Sequence, residues 1–254
     1  MMKRMLLAAA AVLVMLGFWQ ALVVIYSVPD YLVPAPMAVL SEAFRQRGVL
    51  ASQAGTTLGA AALGLLASTV FALVFALAFS VSRRTSQAVM PALLIFRSMP
   101  VIAIAPLIML FLGRGIGTSV AVVTIVSFFP ILVNLLQGLA SAEQGALELM
   151  HVFGAGSWAK LRFVRFPYAA PHLFVGLRIA GSSAILGAML SEWITGSHGL
   201  GKLILDTGEM RETELLWAAV LTSVAAALAV FLLTSAAQAY ATRWKSAGST
   251  LEER

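Results

Sequence analysis

The sequence is built from long apolar runs that are almost free of charged residues, and this feature limits the possible folds more than any other. The runs cover residues 5–26, 58–81, 89–113, 118–137, 173–194 and 215–240. Each has about the 20 residues that an α-helix needs to cross the hydrocarbon core of a bilayer. Charged residues make up only 11% of the chain, against roughly 25% in soluble domains. We therefore predict an all-α membrane protein, a single domain over residues 1–254 with six transmembrane helices.

The distribution of basic residues predicts the orientation of this domain. Six spans put both termini on one side, and Lys and Arg are roughly twice as frequent in the segments on that side as in the opposite loops. The positive-inside rule therefore places both termini, and the long polar segment 138–171, in the cytoplasm. The formal net charge of +6 then reflects cytoplasmic loops rather than nucleic-acid binding.

The third apolar run contains Pro91, Pro100 and Pro106. Proline interrupts helical hydrogen bonding, and a membrane tolerates the interruption where the backbone is buried or lines a cavity. We therefore predict a broken or kinked third span.

Small residues in the second and fifth spans predict close helix packing. They include Gly55, Gly59, Gly176, Gly181 and Gly187. Near the outer end of the fifth span lies one carboxylate, Glu192. Two interpretations of this residue stay open: an interfacial carboxylate satisfied by water, or a structural element of a gate.

Segment 138–171 departs from the apolar pattern and predicts a helix–turn–helix outside the membrane. Ser141 and Gln144 have the spacing of a capping box. The residues Ala146, Leu149, Met150 and Phe153 then repeat at helical spacing, which predicts one apolar stripe, with Glu148 and His151 on the other side. Such a stripe is suited to docking on another molecule, or to packing on the inner ends of this chain's own spans.

The second half of this segment predicts a turn and another short helix. Gly154 and Gly156 can adopt the left-handed conformation that ends a helix. Ser157 can cap a second helix that carries Trp158 and Leu161. Two prolines, at 167 and 171, then mark the return into apolar sequence.

These residues resemble a known motif. Glu148-Leu149-Met150, Gly154, Val164, Phe166 and Pro167 are similar in spacing to the EAA motif of binding-protein-dependent ABC importer permeases, in which an acidic residue and two alanines precede the glycine. Leu149 and Met150 replace the two alanines, and Phe166 replaces a leucine, so the packing face differs while the turn is kept. The sequence from Pro171 through Gly176, Leu177 and Arg178 resembles the nitrate, sulfonate and taurine branch of this family.

The resemblance implies a bacterial inner-membrane permease with the MetI-like type I importer fold and a cytoplasmic coupling helix. Two copies of the chain would pair around a path, and each would dock on one of two copies of an ABC ATP-binding subunit. That partner would bind ATP and Mg, so this chain would need no cofactor. A separate solute-binding protein would deliver the substrate. The resemblance implies two residue sets: for coupling to the ATPase, Glu148, Leu149, Met150, Phe153, Gly154, Val164, Phe166 and Pro167; and for the path or gate, Met99, Pro100, Pro106, Gly187 and Glu192.

The substrate that this resemblance implies is a small anion such as nitrate, a sulfonate or taurine, with a thiamine- or riboflavin-related heterocycle as the alternative. Two other classes stay open: a membrane anchor without transport, and an enzyme that modifies lipids. The enzyme is disfavoured because the sequence offers only scattered carboxylates and histidines.

One motif could mislead. Residues 196–202 have the GxxxxGK spacing of a phosphate-binding loop, but Leu203 stands where Ser or Thr would bind magnesium, and no strand precedes the motif. We predict an external turn here instead. The histidines are far apart, so no metal site is predicted.

Overall fold

The computed structural model describes residues 2–81, 91, 95, 100–196 and 198–241. The described chain is helical, apart from short connections. In chain order its elements are α1 (Met2–Ile25), α2 (Pro36–Arg45), α3 (Arg47–Val81), α4 (Val101–Leu112), α5 (Ile116–Ala140), α6 (Gln144–Val152), α7 (Ser157–Lys160), a π-helical turn (Leu161–Arg165), α8 (Phe166–Thr195), α9 (Leu200–Glu209) and α10 (Thr213–Ala241).

Among the described residues, four helical segments are long and apolar enough to cross a membrane: Arg47–Ser80, Ile116–Ala140, Ser157–Thr195 and Thr213–Tyr240. Two shorter apolar segments, Leu13–Ile25 and Val101–Leu112, lie where the first and third spans were predicted. The six apolar segments follow the predicted order. The helix that carries the second predicted span starts earlier than residue 58, at Arg47, in what the sequence suggested was a loop.

Helices α5 and α8 run antiparallel at the centre of the bundle, with α3 and α10 packed beside them. Glycines allow this close approach: a β-carbon at Gly138 would lie 2.7 Å from the Ala169 Cα atom, and one at Gly176 would lie 3.0 Å from the Ile131 Cα atom. Neither distance leaves room for a larger residue. The close packing predicted for the fifth span is confirmed at Gly176 and at Gly181, where a β-carbon would lie 3.0 Å from the Val230 side chain, whereas Gly187 has ordinary contact distances, the shortest 3.5 Å.

In the second span the packing glycine is a different one from those predicted. A β-carbon at Gly55 or Gly59 would meet no atom within 4 Å, so these two glycines do not bring helices together within the chain. Gly64 does so instead, because a β-carbon there would overlap the side chain of Val123 on α5. Small residues alone do not reveal which of several helix faces is the packed one.

The third span is interrupted at Pro100, as the prolines predicted. Pro100 has extended backbone angles (φ −67°, ψ 117°), and α4 begins at the next residue. Pro106 lies inside α4. Met99 and most of residues 89–99 lie outside the described residues, so the first half of this span stays a prediction.

Candidate functional site

The loop between α5 and α8 begins differently from the predicted capping box. The Ser141 hydroxyl donates a hydrogen bond to the Gly138 carbonyl at 2.9 Å, which terminates α5. Glu143 precedes α6 as its N-cap residue, without a side-chain cap, and Gln144 is already the first helical residue. The capping-box prediction is wrong because the Ser141 hydroxyl is engaged by the preceding helix.

Helix α6 turns one face outward and the other toward the bundle. Leu149, Val152 and Phe153 are 59%, 82% and 78% exposed, and Glu148 is exposed beside them. We call these four residues the docking face. The other two members of the predicted stripe, Ala146 and Met150, are half-buried on the inner side.

The predicted stripe is therefore split between two faces, and Glu148 shares the outer face instead of lying opposite to it. Val152 was missed by the sequence reasoning. The helical spacing of Glu148, Leu149 and Val152 (i, i+1 and i+4) contained the signal, but the stripe through Met150 matched an apolar pattern better.

Gly154 ends α6 in a Schellman turn, as predicted. Its φ is +71°, its N–H donates to the His151 carbonyl, and the next N–H, of Ala155, donates to the Met150 carbonyl, both at 2.9 Å. Gly156 does not take a left-handed conformation; its φ is −69°, and it is the N-cap of α7. Ser157 is the first helical residue and not the predicted cap.

The predicted second short helix is not separate from the fifth span. Helix α7, the π-helical turn and α8 form one continuous helix from Ser157 to Thr195. The π turn ends just before Pro167, whose missing N–H would leave a carbonyl of the preceding turn without a partner in a regular α-helix. Leu161 and Val164 are buried at this turn. Val164 therefore anchors the loop to the bundle, while Phe166 is partly exposed on the long helix.

At the opposite end of α8, Glu192 is only 1% exposed and is bound by protein groups. The Thr57 hydroxyl donates to its Oε1 atom at 2.8 Å, and the Gly201 N–H donates to its Oε2 atom at 2.8 Å. The same threonine accepts the Leu200 N–H at 2.9 Å, and the Gln53 side chain accepts the Gly199 N–H at 2.6 Å. We call Gln53, Thr57, Glu192 and the N–H groups of residues 199–201 the outer latch.

The hydrogen bonds of the outer latch exclude one of the two interpretations of Glu192. The carboxylate is not an interfacial group satisfied by water, because it accepts hydrogen bonds from α3 and α9 inside the protein. It also lies at the N-terminus of α9, where N–H groups without an intrahelical partner and the helix dipole favour a negative charge.

The latch also explains the glycines that mimic a phosphate-binding loop. A β-carbon at Gly199 would overlap the Glu192 carboxylate, and one at Gly201 would overlap the backbone of Met189. The N–H groups of Gly199, Leu200 and Gly201, which would hold a phosphate, are occupied by side chains of this chain.

The predicted path residues that the structure describes differ in their exposure. Pro100 and Pro106 are exposed on and before α4, whereas Gly187 is buried against α5, with Val126 and Val123 near the position of its absent side chain. Their role in a path stays a prediction. Within the described residues there is no group of three His, Cys, Asp or Glu that could hold a metal ion.

Comparison with known proteins identifies the family. Residues 64–246 match the family described as "Binding-protein-dependent transport system inner membrane component". A probable ABC transporter permease protein of Haemophilus influenzae is 35% identical over 86% of this chain and 89% of its own length. The chain therefore belongs to this family: it is a permease of a binding-protein-dependent ABC importer, a multi-pass inner-membrane protein and a transporter subunit rather than an enzyme.

Two further relatives differ in what their names say they transport. The riboflavin transport system permease protein RibX of Chloroflexus aurantiacus is 31% identical over 92% of this chain and 88% of its own length. The taurine transport system permease protein TauC of Escherichia coli is 23% identical over 95% of this chain and 90% of its own length.

Among solved structures, a chain of the MetNI methionine ABC transporter, in inward-facing conformations, superposes with a TM-score of 0.69. It covers 78% of this chain and 98% of its own length at 17% identity. This match confirms the MetI-type permease fold.

Proposed function

We propose that this chain forms half of a solute path and that its docking face couples the path to a separate ABC ATP-binding subunit. The exposed docking face on α6 is the observation that carries the proposal. Two copies of the chain pair around the path, and each contacts one of two ATP-binding subunits, which hold ATP and Mg. A solute-binding protein delivers the substrate on the opposite side, and both termini lie in the cytoplasm.

The docking face has the chemistry of a surface that another protein covers. Three large apolar side chains, of Leu149, Val152 and Phe153, are exposed together in a polar loop. Covering each contributes about 1.5–3 kcal/mol when burial is complete. Glu148 at the edge of the face supplies a carboxylate for a basic side chain or for a helix N-terminus of the partner.

The loop is built to transmit displacement. The Schellman turn at Gly154 fixes the end of α6, and the buried Leu161 and Val164 fix the start of the long helix. From Leu161 to Glu192 that helix extends roughly 46 Å. A partner that moves the docking face thus moves a rigid rod whose far end carries the outer latch.

ATP binding and hydrolysis can change the conformation of the path only if the ATP-binding subunit contacts the docking face differently before and after hydrolysis. Closing the two ATP-binding subunits draws the two loops together and rotates α5 and α8 toward an outward-open path, and hydrolysis reverses the motion.

Two substrate classes follow for this path. A small anion such as nitrate, a sulfonate or taurine is supported by the resemblance of residues 171–178 and by the likeness to the taurine permease. A heterocycle related to riboflavin or thiamine is supported by the likeness to the riboflavin permease. Uptake of labelled taurine and labelled riboflavin by cells that overproduce the whole transporter separates the two classes.

The docking proposal is tested by co-purification. The variant Leu149→Ser combined with Phe153→Ser should lose most of the ATP-binding subunit from the solubilised complex, and ATP-driven uptake with it. The control Gln144→Ala changes an exposed residue of the same helix outside the docking face and should retain the partner. Full retention in the double variant would remove the docking face from the mechanism.

A further inference from the structure

We infer that a groove at the base of the loop binds the phosphate headgroup of an anionic phospholipid. The groove has a volume of about 510 Å³, and it is lined by Ser80, Ser157, Trp158, Lys160, Leu161 and Arg165. The inference rests on the membrane location of the family and not on the proposed contact with an ATP-binding subunit.

The charge of the groove fits a phosphate. Lys160 and Arg165 line it, and no carboxylate is among its described lining residues. Arg165 forms neither an ion pair nor a hydrogen bond with any described residue, so its guanidinium is available. The Lys160 ammonium lies 3.3 Å from the Nδ1 atom of His151 and forms no ion pair with a described carboxylate. Arg and Lys side chains are the usual partners of phosphate oxygens.

The depth of the groove fits a lipid headgroup. Thr57, in the outer latch, and Ser80, in the groove, lie on the same helix α3, and no charged residue separates them. The helical rise places them roughly 34 Å apart, close to the thickness of about 30 Å of the hydrocarbon core. When the latch lies at one boundary of the bilayer, the groove lies at the headgroups of the other leaflet.

The aromatic residues agree with this depth. Trp193 is partly exposed beside the latch, and Trp158 is exposed in the groove. Tryptophan is enriched at both interfaces of a membrane, where its ring faces the acyl chains and its N–H remains near the headgroups. Basic pockets between transmembrane helices on the cytoplasmic side commonly hold anionic headgroups.

The test measures lipid retention by the purified full-length chain. The protein is reconstituted in phosphatidylcholine nanodiscs with a minority of phosphatidylglycerol, and the phosphatidylglycerol bound after extraction is counted by native mass spectrometry. Lys160→Gln combined with Arg165→Gln should lower its affinity roughly tenfold. Arg162→Gln is the matched control, because Arg162 carries the same charge in the same turn but lies over the Phe163 ring, outside the groove.

Three results would overturn the inference: unchanged retention in the double variant, an equal loss in the Arg162→Gln control, or displacement of the lipid by soluble glycerol phosphate, which would identify a site for free phosphate esters. Arg165→Lys, which keeps the charge, should retain most of the lipid and shows whether the fold survives a change at this position.

A second measurement separates this groove from the docking face. The lysine and arginine double variant should still co-purify with the ATP-binding subunit. If it loses that subunit while it binds phosphatidylglycerol normally, the groove belongs to the protein interface and the lipid assignment is wrong. Conversely, the docking-face variant should bind lipid as the unmodified chain does, even if the proposed coupling fails.

Discussion

The Glu192 carboxylate holds three helices together with few atoms. It belongs to α8, accepts a hydrogen bond from Thr57 on α3, and binds the first turn of α9 through the Gly201 N–H. A buried carboxylate is costly unless hydrogen bonds and local dipoles offset its lost hydration. Here the Gly201 N–H at the helix N-terminus and the threonine hydroxyl supply part of that offset, so the residue stabilises the outer end only while all its partners stay in place.

Glu192→Gln should destabilise the protein by about 1–3 kcal/mol, because glutamine offers one acceptor oxygen to two donors, the Thr57 hydroxyl and the Gly201 N–H, and its –NH2 would face one of them. The measurement is the thermal unfolding midpoint of the purified protein in detergent, together with uptake by the assembled transporter. Glu209→Gln, at the exposed end of α9, is the control and should behave like the unmodified protein. Equal midpoints for the two variants would show that the latch contributes nothing to stability.

Gly154→Asp should abolish uptake while membrane insertion continues. The glycine has a φ of +71°, a conformation that costs other residues roughly 1–2 kcal/mol, and the space around it is open. The substitution therefore strains the backbone of the turn and does not create a steric overlap with neighbouring residues. Gly156→Ala is the control, since that residue has a φ of −69° and equally open space. Normal uptake in Gly154→Asp, measured beside normal membrane levels, would contradict a coupling role for the turn.

At the scale of elements, the crossing of α3 and α5 depends on one glycine. Gly64→Ala should destabilise the bundle by about 1–3 kcal/mol, because its β-carbon would overlap Val123. Adding Val123→Ala removes the overlap with the Val123 Cγ1 atom but leaves the overlap with its Cβ atom, so it should restore only part of the loss. Gly59→Ala, on the same helix but facing open space, should be neutral or slightly stabilising. Unfolding midpoints of the four proteins test this, and a stable Gly64→Ala variant would contradict the packing.

The elements show which parts of the fold the sequence determines locally. Uninterrupted apolar length predicted the spans, and the left-handed requirement at Gly154 predicted the end of α6. The sequence pattern failed where a local signal had two outcomes: Ser141 could cap the next helix or terminate the previous one, and Pro167 could end a helix or follow a π turn. A hydrogen bond to the preceding turn, from Ser141 to Gly138, decided the first case, and the second turn is packed into the bundle through Leu161 and Val164.

The outer latch could not be predicted from local sequence patterns, for a different reason. Its threonine and its glutamate are far apart in sequence, at positions 57 and 192, and the polar stretch before Leu58 resembled a loop. Helix α9 was missed for the same reason, because its N-terminus is stabilised by side chains from other helices instead of by a local cap. The sequence predicted a turn at these glycines but not the side chains that bind it.

At the scale of the whole molecule, the docking face and the outer latch lie near opposite ends of one long helix. The chain has no cysteine, so single cysteines can report the side of the membrane on which each residue lies. A membrane-impermeant maleimide added to spheroplasts should label Met210→Cys and not Gln144→Cys, and inside-out vesicles should give the reverse. Both original side chains are exposed, and Gln144 lies outside the docking face that the partner would cover. Labelling of both positions from the same side would contradict the proposed topology.

The most direct test of the coupling mechanism is a cross-link at the docking face. Val152→Cys, carrying a photo-activated cross-linker, is introduced into the cysteine-free chain in its assembled complex, with Leu110→Cys on α4 as an exposed control. We predict that Val152→Cys cross-links to the ATP-binding subunit, with a yield that changes between nucleotide-free and ATP-bound complexes, while the control does not. A docking-face cysteine that never reaches that subunit, in a complex that retains it and transports normally, would contradict the mechanism.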